Sequence, residues 1–288
     1  MNRIMQESVI KSLLDWIEEN LHLPLSVDYV ASKAGYSKWH LQRIFKDHTG
    51  ITLGDYTRGR RLSECATILK ITKRDIYDIA LEYGFDSKPH FCRAFKNQFG
   101  VTPRAFRKSE ILETRQFCAP IKYNSEPSLE ANIVTLEKMQ LVGKKKEIRS
   151  EVGDNEYFNF NSRMKSWDDH FPHLVDKPAS LIGLVDYISA SNSKREYAFQ
   201  YTMATVPSDA NMPADNGELI TIEKGKYVKF HYDGAMDGMQ DFLYKIYSVY
   251  LSKNKLIRRK GEDIEIYTPM MSSIKNHGIN CQYYVPII

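Results

Sequence analysis

The spacing of apolar residues changes character along this 288-residue chain. Up to about residue 108 they recur at intervals of three and four, the period of an amphipathic helix; beyond about residue 132 they alternate or come in short runs, as strands do. In the first region Val27, Val30 and Ala31 make one apolar stripe, and Gly35 follows where a helix can end on a left-handed residue. Ser37 is placed to cap a second helix. Along it Leu41, Ile44, Phe45 and His48 fall on one face, while Trp39, Gln42, Arg43 and Lys46 fall on the other at the same spacing. The pattern predicts helix, tight turn, helix, with one face packed and the other left exposed.

The same design returns further on. Residues 30–52 (VASKAGYSKWHLQRIFKDHTGIT) lie over residues 79–102 (IALEYGFDSKPHFCRAFKNQFGVT) with one extra residue in the second copy. Ala31 then falls on Ala80, Gly35 on Gly84, Tyr36 on Phe85, His40 on His90, Arg43 on Arg93, Phe45 on Phe95, Lys46 on Lys96 and Gly50 on Gly100. Two copies are too few for a solenoid to cover its faces, so a pair of small helix-turn-helix units is expected. In the second unit Ser87 is a cap, Pro89 suits a first helical turn, Phe91, Ala94, Phe95 and Phe99 face inward, and Arg93 and Lys96 face out. Between the copies, residues 55–72 carry Leu62, Ala66 and Leu69 at helical spacing, which predicts one connecting helix.

Residues 109–132 contain Pro120 and Pro127 with no clear period and read as linker. Strands are predicted at 133–136, 180–185, 197–203, 226–232, 263–267 and 281–287, with helical windows around 155–171 and 236–251. The expected fold is therefore multidomain. An all-α domain with two helix-turn-helix units joined by a helix (1–108) precedes an α+β domain with two strand-helix-strand-strand halves (133–288).

Composition narrows the function. The first 120 residues hold 19 Lys and Arg against 14 Asp and Glu, the remainder 21 against 22, so the net charge of +4 resides in the helical part and points to a nucleic-acid partner there. No apolar run approaches the roughly 18 residues of a membrane helix, and the N-terminal residues lack a signal-peptide core; a cytosolic protein is expected, associated with the nucleoid, with no membrane partner. Cys65, Cys92, Cys118 and Cys281 are far apart, and His170 and His173 flank Pro172 without a companion acid or thiol, so neither disulfides nor a metal site is expected. No phosphate loop, GxSxG or HExxH motif is present, and neither catalytic residues nor a cofactor are expected.

Arg and Gln on the outer face of a short second helix suit major-groove reading, Arg to guanine and Gln to adenine. Trp39 on that face either packs on a neighbour or contacts sugars and thymine methyl groups. Arg58, Arg60 and Arg61 at the start of the connecting helix are candidate phosphate contacts to double-stranded DNA, as are Ser37, Lys38, Lys46, Lys88 and Lys96 around the two outward faces. If both recognition helices enter one duplex face they must sit about 34 Å apart, so a monomer could do the work of a symmetric dimer.

GYSKWHLQRIFKDHTG and YGFDSKPHFCRAFKNQFGVTPRAFR resemble the DNA-binding domain of the AraC/XylS family, and with the chain length they resemble its Rob-like, right-origin-binding branch. The resemblance implies that Trp39, Gln42 and Arg43 read bases from the first recognition helix and Arg93 from the second, with His90 beside it. It also implies a monomeric activator that contacts RNA polymerase at stress or drug-tolerance genes. Lys88, Pro89 and His90 depart from the glutamine and threonine that Rob-like chains tend to carry, so phosphate contact or shape readout can replace base readout there.

The later part, with GEDIEIYTP followed by QYYVPI, resembles gyrase-inhibitor-like effector domains. In that family an acidic residue faces an aromatic cleft; Glu265 matches it, and Trp167, Tyr227, Tyr267 and Tyr283 are the candidate lining for an amphipathic cationic small molecule. Gln282 stands where Rob-like chains can have glutamate. Alternation with Ile264 and Ile266 permits either a pocket or a solvent face for Glu265. Two other readings stay open: a small-molecule hydrolase with Glu265 as general base, and a protein-docking module attached to a general DNA-binding protein.

Overall fold

The computed structural model describes residues 3–71, 74–121, 129–151, 160–170, 181–187, 196–207, 217–267 and 278–288. Among these no helix is long and apolar enough to cross a membrane. The first part is helical: α1 (Arg3–Glu19), α2 (Val27–Lys33), α3 (Lys38–Thr49), α4 (Leu53–Ile71), α5 (Ile76–Glu82), α6 (Lys88–Phe99) and α7 (Pro103–Lys108). The duplication extends to the capping chemistry. Ser37 and Ser87 each accept the amide of the residue three on, from His40 and His90, and so cap α3 and α6. Gly50 and Gly100 close those helices at φ 78° and 74°, a left-handed conformation that costs glycine little. Inward residues Leu41, Ile44, Phe45, Phe91, Phe95 and Phe99 are buried.

Helix α4 is not a surface strut. Tyr56, Leu62, Cys65, Ala66, Ile68 and Leu69 are buried around it, because both helix-turn-helix units and the second domain pack on it. After α7 the chain does not hang free. Strand β1 (Leu112–Glu113) pairs with β8 (Ile257–Arg258) of the second domain; Phe117 joins the Phe99 and Phe106 rings, at 5.4 and 6.4 Å between centroids; and the Cys118 amide donates to Ser63 at 2.9 Å. The stretch expected as plain linker is, over its first dozen residues, a strap pinned to both domains.

The second domain contains β2 (Ala131–Leu136), β3 (Met139–Glu151), α8 (Phe160–His170), β4 (Leu181–Asp186) and β5 (Glu196–Thr205) in its first half. Its second half has β6 (Glu218–Ile222), β7 (Gly225–Gly234), α9 (Gly238–Tyr244) running on through a π-helical turn (Lys245–Tyr250) into α10 (Leu251–Lys253), then β8, β9 (Asp263–Tyr267) and β10 (Ile279–Pro286). Each half thus carries one more leading strand than its alternation predicted. Strand β3, whose KKKEIR run breaks the apolar alternation, and the short β6 were not legible as strands. All eight main strands form one antiparallel sheet in the order β2-β7-β10-β9-β4-β5-β3-β6. The order reads the same from either end when the halves are exchanged: each leading strand pairs in the other half, and β9 meets β4 at the centre.

The two-residue links Glu137-Lys138 and Glu223-Lys224 join strands at opposite ends of that order, so the sheet must curl until its edges meet there. Ion pairs cross between the links, Lys138 to Glu223 at 3.0 Å and Lys224 to Glu137 at 2.8 Å. The curl encloses a small core of Leu141, Ile182, Leu184, Ile222, Tyr227 and Ile264. The opposite sheet face packs on α8 and α9 and is continuous with the core of the helical domain.

Candidate functional site

Two regions draw the candidate residues together. The first is the outer surface of α3 and α6. Gln42, Arg43 and Lys46 are exposed, and Trp39 is 71% exposed, resting on no core residue. The Arg43 guanidinium lies over the Trp39 ring at 5.2 Å, a cation–π contact between the two candidate readers. His90, Arg93 and Lys96 are likewise exposed on α6, and Lys88 at its start. Arg58 on α4 shares with His90 and Arg93 a groove of about 630 Å³ between α4 and α6. Lys38 is exposed and paired with Asp28 at 2.9 Å; Ser37 spends its hydroxyl oxygen on the helix cap.

Two of the three arginines proposed for phosphate contact lie elsewhere. Arg60 is wholly enclosed: it binds Glu18 at 2.7 Å and Glu64 at 2.8 Å, and donates to the Cys118 carbonyl at 2.7 Å and the Tyr244 hydroxyl at 3.1 Å. Burial works against its charge, but the two carboxylates more than offset it and hold the guanidinium above its ordinary range. Arg61 is half-buried, donates to the Leu21 and Leu23 carbonyls, and lies against Gly84, where an added Cβ would stand 3.1 Å from its Nη1. It therefore clasps the two helix-turn-helix units. A helix start followed over one turn points successive side chains in different directions, which is why only Arg58 of the three faces out.

The second region lies at the centre of the sheet, under α8. Asp263, Glu265 and Tyr267 alternate on the helix-facing side of β9, and both carboxylates are fully buried. Glu265 forms an ion pair with Arg163 of α8, and its Oε2 accepts hydrogen bonds from Tyr201 at 3.0 Å and Tyr267 at 2.7 Å. Burial first, and then the Glu265 charge, holds those two hydroxyls in the protonated form that donates. Trp167 donates from Nε1 to Tyr201 at 2.9 Å. Tyr283 donates to Asp263 at 2.6 Å and sits 3.3 Å from the Tyr187 hydroxyl. Asp263 also takes Arg258, at 2.9 Å, and Tyr247 of the π-helical turn.

Glu265 is thus on the packed side of its strand, together with Trp167, Tyr267 and Tyr283. Tyr227 is not: it points into the curl, edge-on to Tyr284 and under Arg259. Its strand neighbours Val228 and Phe230 belong to the large core. A strand's side chains alternate between faces, and sequence spacing alone does not say how β7 is phased against β9. Sequence reasoning missed Arg163, Tyr187, Tyr201 and Gly183. Asp263 was within reach, since it stands two positions from Glu265 on one strand. His173 and part of the 155–171 window lie outside the described residues, among which no cluster of metal-ligating side chains occurs.

Residues 30–109 match a helix-turn-helix domain and residues 129–288 a GyrI-like small molecule binding domain. The chain is 37% identical over 285 residues to the transcriptional regulator Rob of Salmonella typhimurium and to the right origin-binding protein of Escherichia coli, covering 98% of this chain and 99% of each. The multiple antibiotic resistance protein MarA of E. coli is 46% identical over 117 residues, 40% of this chain and 92% of MarA.

Proposed function

The chain belongs to the Rob-like AraC-type transcription regulators that carry a GyrI-like domain, and from that membership we propose that it is a monomeric activator whose DNA affinity answers to a small molecule held in the second domain. It is a DNA-binding regulator, and its relatives are regulators rather than enzymes. The observation that carries the reading is the repeat itself. The same cap, the same buried ring and the same outward arginine recur on α3 and α6, so one chain offers two recognition helices. Arg43 with Trp39 and Gln42 reads bases in one major groove, Arg93 and His90 meet the next, and Arg58 with the outward lysines binds phosphate. Activation then requires a contact with RNA polymerase from a surface the DNA leaves free. The similarity to a multiple antibiotic resistance protein, MarA, supports drug-tolerance genes as targets.

Selection of bound sequences from a random duplex pool by the full chain is the test. An asymmetric motif spanning two adjacent major grooves, with one base position relaxed in Arg43→Ala, is the expected result. Salt-sensitive binding with no motif sinks the reading.

A further inference from the structure

Arg163 sits like a ligand rather than a strut. Its side chain is fully enclosed, one end on Glu265 Oε1 and Nη2 donating to the Tyr187 hydroxyl at 2.9 Å. The rings of Phe199, Tyr187 and Tyr201 stand 4.9, 5.7 and 6.0 Å from its central carbon. Yet its buried Nε meets no acceptor among the described residues. Arg60, equally buried, has Nε and both terminal nitrogens bonded. Among the described residues the seat of Arg163 therefore rests on Glu265, the Tyr187 hydroxyl and the ring faces alone.

The carboxylate side of the seat stands ready without Arg163. Tyr201 and Tyr267 fix Glu265 Oε2. Opposite, Gly183 of β4 leaves the space they occupy: a Cβ there would lie 2.7 Å from Oε2 and closer still to the Tyr201 hydroxyl. Oε1 faces the rings of Phe199, Tyr187 and Tyr201, and the chain fills that place with its own cation.

We propose that Arg163 is a tethered occupant of the effector site, and that the ligand which replaces it is a planar delocalised monocation of the amidinium or guanidinium class carried on an aromatic body. The inference rests on reading the second domain as effector-binding. A guanidinium- or amidinium-type cation reproduces what Arg163 does, turning one nitrogen to the carboxylate and a second to the Tyr187 hydroxyl while its central carbon lies over Phe199, which a compact ammonium does not. The exchange is charge for charge, so Glu265 is never left buried and alone. Because Arg163 and Trp167 lie one turn apart on α8, expelling the first disturbs the second and its bond to Tyr201, and the signal leaves through α8. The tether also sets a threshold: a bound side chain competes at a high effective concentration, so a cation must gain contacts beyond its head group to win.

The test uses the full chain with benzamidine as probe. Calorimetry is expected to show Arg163→Ala binding the probe roughly tenfold or more tightly than wild type, since no internal competitor has to leave. The double variant Arg163→Ala with Glu265→Gln is expected not to bind. In wild type, saturating probe should raise amide hydrogen exchange in α8. Equal affinity in wild type and Arg163→Ala, or binding that survives loss of the carboxylate, overturns the proposal. Should Arg163→Ala fail to fold, unchanged α8 exchange in the saturated wild type overturns it too. Binding as expected with no change in the DNA affinity of the wild-type chain leaves Arg163 assigned and defeats the effector reading instead.

Discussion

Arg60 of the connecting helix and Tyr244 of the second domain are joined by a hydrogen bond of 3.1 Å, and both engage Glu64, at 2.8 and 2.9 Å. This couples the helix that joins the two helix-turn-helix units to the end of α9, immediately before the π-helical turn. Such turns often occur at functional sites. Three residues on, Tyr247 bonds Asp263, the neighbour of Glu265 on β9. One helical run therefore touches both the buried carboxylates of β9 and the DNA-binding domain.

If that link ties the domains, Tyr244→Phe should lower stability by about 1 kcal/mol, the usual worth of a hydrogen bond with its partners still satisfied by others. Proteolysis between the domains should also speed up. Chemical denaturation and limited digestion check this, and unchanged values for both would show the contact to be incidental.

Arg58 and Arg60, two positions apart, should behave as opposites. Arg60→Ala strands Glu18 and Glu64 and should cost about 3–5 kcal/mol of stability. Arg58→Ala, whose side chain is 57% exposed, should leave stability unchanged and flatten the salt dependence of DNA binding by about one unit. Melting curves and salt titrations separate the two.

Trp39→Ala should leave the melting temperature unmoved, because the ring buries little against the protein, while specific DNA affinity falls by about 1–3 kcal/mol together with that of Arg43→Ala. A double variant no worse than either single one would show that the stacked pair acts as a unit.

Gly183→Ala would press a methyl group against Tyr201 and Glu265 at the centre of the sheet. Overpacking of this kind should cost about 1–3 kcal/mol and displace the carboxylate from its seat. Denaturation measures the first effect, and loss of probe binding in the Arg163→Ala background measures the second.

Lys70, packed near the strap, has its amine pulled down to about 8, by burial first and then by Arg258. Since the unfolded chain holds this proton more tightly than the folded one, stability should rise as pH climbs from about 8 towards the ordinary lysine value near 10.4. The half-exposed position keeps the gain to about 1 kcal/mol or less. Comparison with Lys70→Met between pH 8 and 10 isolates it; a difference that stays flat with pH refutes the shift.

The helical half was legible from the chain alone because its information is local. Ser37, Gly50 and their duplicates Ser87 and Gly100 act on backbone atoms within a few residues, and the 3.6-residue period separates Leu41, Ile44 and Phe45 from Trp39, Gln42 and Arg43 without reference to anything distant. Glu265 and its aromatic company could be read from a motif, and so could Asp263 from its spacing. The sequence by itself therefore determined the two helix-turn-helix units, the division into a helical and a strand-rich domain, and the acidic strand. Only the tertiary structure decided that Arg60 and Arg61 are internal, that Tyr227 faces away from Glu265, that residues 110–121 are a docked strap and that Arg163 is the partner of Glu265. Each of these depends on residues tens to hundreds of positions apart. Which face of a strand is covered, and which of three adjacent arginines meets a carboxylate, is settled by the register and packing of remote elements, and no local pattern encodes that.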